Sequence, residues 1–385
     1  MNIICMQGGL GNQMFQYALY LKMNSMDITT KFDDWSEYED HDNARPLFLA
    51  SAFGIDYPRA NLLEYKEYTD SFTTPLHRFL RKVRGRRTRI YCENSINYDP
   101  MILQKASEYL IANNEKSGKR LLGYYFKGFY QTEKYFEDIK EEVISAFTFT
   151  DEVKALGDER LAKIVNTSKI AKQPVNTEGN ASETMQQAGM EDRAPKGEPL
   201  VSIHIRRGDY LDVSEVYGGI CTDAYYDKAI DYILQLVPNA RFVIFSNDVE
   251  WAIAWAKKRN ALYKEKKEMN YVKIGGSVKS GSNVKASSNV KYEENVKIGG
   301  SVVKESVENE PDRFLVVTET DESTAYVDMY MMSQCDHNII ANSSFSWWGA
   351  YLNQNPSKIV IAPSRWTNTL NQTDIYTENM KVVRV

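Results

Sequence analysis

The apolar residues of this chain fall into short strand-type runs that alternate with segments of helical spacing. Asn2-Ile-Ile-Cys-Met6 is one such run, Gln7-Gly-Gly-Leu-Gly-Asn-Gln13 is rich in glycine, and Met14 to Lys22 repeats at helical spacing. Strand, glycine turn and helix open a βα unit. An acidic, aromatic loop follows from Phe32 to Asp42, then a basic helix near residue 80. Leu121 to Phe136 reads as an aromatic strand, a turn and the start of an amphipathic helix that reaches Phe147. The pattern amounts to a first α/β domain of ordinary size.

The rhythm resumes at Leu200. A strand over 200–206 precedes a helix Asp223–Leu236, a strand Arg241–Ser246 and a helix from Val249. Further on come strand Phe314–Thr318, helix Ser323–Ser333, strand Asn338–Ala341, helix Ser346–Asn353 and strand Lys358–Ala362. Such alternation predicts a parallel, doubly wound sheet. Two stretches break the pattern. Residues 166–198 carry few large apolar groups and cannot offset their ordering entropy, so they read as a flexible insertion or linker. Val272, Val278, Val284, Val290, Val296 and Val302 recur every six residues among Lys, Gly, Ser and Asn, and Val272–Val278 returns intact as Val296–Val302. A six-residue repeat this short lacks the stacked neighbours a β-helix needs, so it reads as an expanded insertion that chemistry does not require. The boundaries are then 1–165 for the first domain, 166–198 for the linker and 199–385 for the second domain, interrupted at about 264–312.

Composition narrows the function classes. Of 385 residues 43% are hydrophobic and 26% charged, as in ordinary globular proteins, and the net charge of −5 argues against nucleic acid as the main partner. The basic run Arg78, Arg81, Lys82, Arg84, Arg86, Arg87 and Arg89 is a local exception. It reads as a solvated face, with weak peripheral attraction to an anionic membrane as the second reading. Cys5, Cys92, Cys221 and Cys335 are scattered, without CxxC or Cys/His clustering, and predict reduced thiols and no zinc site. No signal-peptide pattern and no apolar span of about 20 residues is present, so a cytoplasmic location is expected.

The chemistry concentrates at strand ends. Val201-Ser-Ile-His-Ile-Arg-Arg-Gly-Asp-Tyr210 is an apolar run that breaks into His204, Arg206, Arg207 and Asp209. A buried parallel strand delivers such residues to the carboxyl edge of its sheet, where open α/β folds bind ligands. Guanidinium forks there suit a phosphorylated ligand such as a nucleotide, or else a salt-bridged strand end. The Gln7–Gln13 turn offers backbone N–H groups to an anion, although its spacing is not GxGxxG. Asp248, ending Phe245-Ser-Asn-Asp, either accepts hydrogen bonds from a guanine edge or caps the next helix. Asn342, Ser343, Ser344 and Ser346 stand at another strand-to-helix junction, suited to phosphate, followed by Trp347 and Trp348, at least one of which belongs in the core.

Together, Gly8 to Ala18, Gly128 to Phe136, His204-Ile-Arg-Arg-Gly-Asp-Tyr210, Phe245-Ser-Asn-Asp248 and Asn342-Ser-Ser-Phe-Ser-Trp-Trp-Gly349 resemble the α-1,2-fucosyltransferases, the inverting glycosyltransferase family 11. The resemblance implies a GT-B fold, two Rossmann-like domains facing across a cleft, and transfer of L-fucose from GDP-β-L-fucose to the 2-hydroxyl of a terminal galactose. It implies that Arg206 and Arg207, with His204, hold the diphosphate and that Asp248 reads guanine. Asn342, Ser343, Ser344 and Ser346 would complete the phosphate pocket, with Gly9, Gly11, Asn12 and Gln13 lining the cleft. Arg207, Asp209 and Asn12 are the catalytic candidates, Asp209 as a base or as the residue that orients an arginine. No metal or cofactor beyond the donor is implied, and Asp40-His41-Asp42 reads as surface or acceptor-side. The two insertions have no counterpart in the family pattern.

Rival readings have distinct signatures. A nicotinamide-dependent oxidoreductase explains the first glycine turn but not the mid-chain arginine pair. A non-catalytic glycan-binding protein explains the aromatics but has no need of a diphosphate clamp. Another GDP-sugar transferase shares the phosphate and base contacts, and acceptor choice belongs to loops over 32–60 and 120–136.

Overall fold

A computed structural model of the chain describes residues 1–37, 46–69, 89–93, 96–114, 123–170, 198–277 and 311–385, with a few isolated positions between 71 and 83. Asp40-His41-Asp42 and most of the Arg78–Arg87 run lie outside the described residues. Arg89 is described: its guanidinium meets Glu108 at 2.8 Å and stacks over Tyr124.

The first domain holds four parallel strands, β1 (Asn2–Cys5), β2 (Thr30–Asp33), β3 (Ile90–Cys92) and β4 (Tyr125–Lys127), in the order β2-β1-β4-β3. The second holds six parallel strands, β5 (Leu200–Ile205), β6 (Arg241–Ser246), β7 (Phe314–Val316), β8 (His337–Ile339), β9 (Val360–Pro363) and β10 (Met380–Val383), in the order β10-β9-β8-β5-β6-β7. This is the doubly wound order: the chain leaves β5 toward β7, then returns to β8 on the other side of β5. The switch point therefore lies between the carboxyl ends of β5 and β8. The first sheet reverses in the same way between β1 and β4. Two parallel α/β domains, each with a reversal of strand order, match the GT-B organisation expected from the sequence.

Central strands are apolar because both faces are covered. In β5 and β6 nearly every residue is buried, whereas the edge strand β10 has no buried residue. The domains share one core. Phe15 of the helix Leu10–Ser25 packs against Trp347 and Trp348 of the second domain's helix Ser344–Tyr351, at ring separations of 4.7 and 4.9 Å. Both tryptophans are fully buried. The helix Asp151–Ile170 lies against the helix Ala325–Gln334, with Tyr330 Oη donating to Asp158 at 2.8 Å.

Several elements differ from the sequence reading. The first helix starts at Leu10, so the turn is only Gly8 and Gly9; Gly11, Asn12 and Gln13 belong to the helix. β2 occupies the start of the expected acidic loop, and β3 and β10 stand where the sequence pattern predicts no strand. The helix Asp151–Ile170 continues past 165 into the expected linker, whose remaining residues 171–197 are outside the described set. The helix Val249–Ser277 carries through the expected start of the repeat insertion, because Ala, Lys and Glu between 254 and 268 favour helix.

The ends of that insertion meet. Lys264 Nζ lies 3.0 Å from Asp312, and Asn260 Oδ1 accepts the amides of Arg313 and Phe314 at 3.0 and 2.9 Å. This junction sits where β7 begins, at the amino edge of the sheet, opposite the edge that carries Arg206.

Candidate active site

The second-domain half of the site is built on adjacent strands β5, β6 and β8. Ile205 pairs with Ser246, and Ile203 with Ile339, so Arg206 emerges level with Asn247 and Asn342. Arg206 Nη2 lies 2.8 Å from Asp209 Oδ2, and its guanidinium faces the Tyr210 ring at 5.8 Å. Arg207 Nε lies 3.2 Å from Asp248 Oδ2, with its guanidinium 4.3 Å over Trp251. The Arg207 amide donates to Asn247 Oδ1 at 2.9 Å. Each arginine is thus held by one carboxylate and one aromatic face, and a five-donor guanidinium retains N–H groups for an oxyanion.

Asp248 has two tasks in one side chain. Oδ1 accepts the Trp251 amide at 3.2 Å, capping the helix that starts at Val249, while Oδ2 holds Arg207. On the other side of β5, Ser343 is the N-cap of the helix Ser344–Tyr351. The unpaired N–H groups of that helix end complement negative charge at the sheet switch point. Tyr210 Oη donates to the Asn342 carbonyl at 2.8 Å, tying the arginine segment to this loop, and burial raises its hydroxyl pKa.

Other sequence candidates turn inward. The Asn342 side chain donates to the Trp366 carbonyl at 3.0 Å and accepts from Cys221, and Ser346 Oγ donates to the Ser343 carbonyl at 3.3 Å. His204 is 4% exposed beside Phe345. Burial, reinforced by Arg206, lowers its pKa to about 3, so the imidazole is neutral. Gln13 is fully buried: its amide donates to the carbonyls of Gly8 and Pro46 and accepts the Phe48 amide at 3.0 Å.

From the first domain, Gly8 turns the chain at a φ of 77°, and Gly9 caps the helix that brings Asn12 to the junction. Asn12 Oδ1 accepts from Ser344 Oγ at 2.8 Å and from Gln131 Nε2 at 2.7 Å. Gly11 lies against Ser344 and Phe345, and its carbonyl accepts from Trp348 Nε1 at 3.0 Å. The fold therefore gathers Arg206, Arg207, Asp209 and Asp248 into one cluster. Asn12, Gly11 and Ser344 form a second, at the meeting of the domains.

Beside them a cleft of about 390 Å³ opens at the carboxyl edge of the first sheet, lined by Gln7, Glu93, Lys127, Phe129, Leu370 and Asn371 among others. Sequence reasoning did not single out Glu93 or Trp251. Trp251 had one usable signal, its place one helical turn after Asp248; Glu93 stands in no motif.

The family model described as Glycosyl transferase family 11 matches residues 180–276 and 303–382, interrupted within the hexapeptide repeats. The O-antigen biosynthesis glycosyltransferase WbnK of Escherichia coli is 27% identical over 94% of this chain and 93% of its own. The alpha-1,2-colitosyltransferase of Escherichia coli is 26% identical over 93% and 90%. The human galactoside alpha-(1,2)-fucosyltransferase 1 is 23% identical over 40% of this chain and 28% of its own. Both the arginine segment after β5 and the serine loop after β8 fall within the family match, on the two strands that flank the switch point, so the second domain is the part of the chain that is similar to glycosyl transferase family 11.

Proposed function

We propose that this glycosyltransferase moves L-fucose from GDP-β-L-fucose to the 2-hydroxyl of a terminal galactose, inverting the β linkage to α without a metal. The observation that carries the reading is the Arg206–Arg207 pair at the β5 carboxyl end, beside the Ser343-capped helix. Displacement at the anomeric carbon leaves charge on the departing diphosphate. Preorganised cations and helix N–H groups stabilise that charge as it develops. An inverting attack needs the acceptor on the face opposite the diphosphate, which the cleft between Glu93 and Asn371 suits. The named activities of the colitosyltransferase and human relatives both end in an α-1,2 linkage, which supports the same regiochemistry here.

A second donor is favoured by one observation, the colitosyltransferase likeness over nearly the whole chain. GDP-colitose lacks the sugar 3-hydroxyl, and the diphosphate and base contacts do not sense that difference. The test is a transfer assay in EDTA with each donor and a galactose-terminated acceptor, with the product linkage read by NMR. An α-1,2-fucosylated product supports the first reading. Transfer from GDP-colitose alone replaces the donor, and transfer from neither donor to any galactoside overturns the reading. The free thiols Cys5, Cys92, Cys221 and Cys335 support a reducing, cytoplasmic setting. Among the described residues no helix is long and apolar enough to cross a membrane.

A further inference from the structure

Glu93 follows β3 and reaches beneath the loop after β4. Its carboxylate accepts the Phe129 amide at 2.7 Å and the Tyr130 amide at 3.1 Å, which fixes its direction without neutralising its charge. The fit requires Gly128, because a Cβ there would stand 2.5 Å from Glu93 Cβ and 2.7 Å from Oε2. Among the residues that line the cleft Glu93 is the carboxylate. The far wall, Leu370 and Asn371, belongs to a second-domain loop that runs past the donor side. That loop meets Asn342 through the Trp366 carbonyl at 3.0 Å, Val216 through the Asn368 amide at 2.8 Å, and Asn97 through the Asn371 carbonyl at 2.9 Å. The cleft thus stands where the acceptor half meets the donor half. Asp209, the base suggested by the arginine motif, instead neutralises Arg206.

We infer that Glu93 is the general base of the transfer and that the cleft it lines receives the acceptor hydroxyl. The inference rests on the transfer reading above. The acceptor O–H bond breaks with its proton on Glu93, the oxygen–C1 bond forms, and the C1–O bond to the diphosphate breaks with its electron pair leaving on GDP. Glu93 afterwards releases the proton to water.

The surroundings suit the task. Burial raises the Glu93 pKa from its ordinary value; the two backbone amides oppose the rise and nearby Asp99 adds to it. The phenols of Tyr130 and Tyr135 also face it, and Lys127 lines the same cleft. A carboxylate whose pKa is raised is the stronger base.

The test compares wild type, Glu93→Gln and Glu93→Asp for GDP affinity, thermal unfolding and the pH profile of kcat. Glu93→Gln should bind GDP like wild type yet lose about 100-fold or more in kcat, with the acid limb of the profile gone. Glu93→Asp should recover part of the rate and the limb, which keeps the assignment testable should the glutamine variant not fold. A Glu93→Gln rate within several-fold of wild type, or an unchanged acid limb, overturns the assignment alone. A wild type that binds GDP but transfers no sugar overturns the transfer reading and this assignment with it.

Discussion

Ser344 Oγ donates to Asn12 Oδ1 at 2.8 Å, joining the first turns of two helices that begin 334 positions apart in domains of separate sheets. Their contact needs a residue without a side chain. A Cβ on Gly11 would stand 2.5 Å from the Ser344 carbonyl carbon and 2.6 Å from the Phe345 amide nitrogen, both backbone atoms that cannot rotate aside. Gly11→Ala should therefore force the helices apart and cost about 1–3 kcal/mol of stability. Urea unfolding of the variant checks this; an unchanged midpoint would mean that the junction is looser than these distances require.

Trp251 supports Arg207 from below. Stacking of this kind is worth roughly 0.5–2 kcal/mol. Trp251→Ala should weaken GDP binding several-fold in wild type and hardly at all in Arg207→Ala, since the tryptophan acts through the arginine. Calorimetry on the four proteins of the cycle measures the coupling, and equal effects on both backgrounds would assign Trp251 a role of its own.

Acid should weaken the fold through His204. Its native pKa is held down to about 3 from 6.5, so the unfolded chain takes up a proton that the native state refuses. Stability from this residue is complete above pH 6.5 and falls as pH drops toward 3. Asp328 acts with the opposite sign: burial raises it from 3.8 to about 6, so its contribution is complete below 3.8 and is lost as pH rises through 6. His204→Gln should flatten the acid slope by up to about 1.4 kcal/mol per pH unit. Unfolding free energies at about pH 5.5 and 7.5 test it; parallel slopes would mean that His204 is protonated in the native state.

Lys264, within the helix Val249–Ser277, and Asp312, just before β7, are in contact, so the chain on either side of the hexapeptide segment is close together at this point. Removing residues 268–309 and joining the ends through a short glycine-serine linker should leave GDP affinity and thermal stability close to wild type. A large loss of either would assign the segment a part in the second domain.

How far the sequence is legible depends on whether local pattern or tertiary contact decides each element. Asp223–Leu236 and Arg241–Ser246 match their expected bounds because apolar periodicity and burial agree there. β2 is four residues with a lysine in the middle, β3 is only three residues, and β3 and β10 have no buried residue, so none stands out as a core strand in the sequence. The arginine pair is legible because two cations directly after a buried strand are costly without a partner. Gln13 and Asn342 stand in the same motifs as Asn12 and Ser343, and only the fold separates amides that stitch backbone from groups at the junction. Glu93 joins the cleft through strand order alone, since β3 lies beside β4 and its carboxylate reaches the loop after that strand.

Donor binding depends on the arginine pair as a diphosphate clamp, and calorimetry of GDP binding in EDTA, on wild type and Arg207→Ala, tests this most directly. Wild type should bind GDP without metal, and the variant should lose about 2 kcal/mol or more, the scale of one charge-assisted contact at a buried phosphate. No binding by wild type, or equal affinity in both proteins, would contradict it.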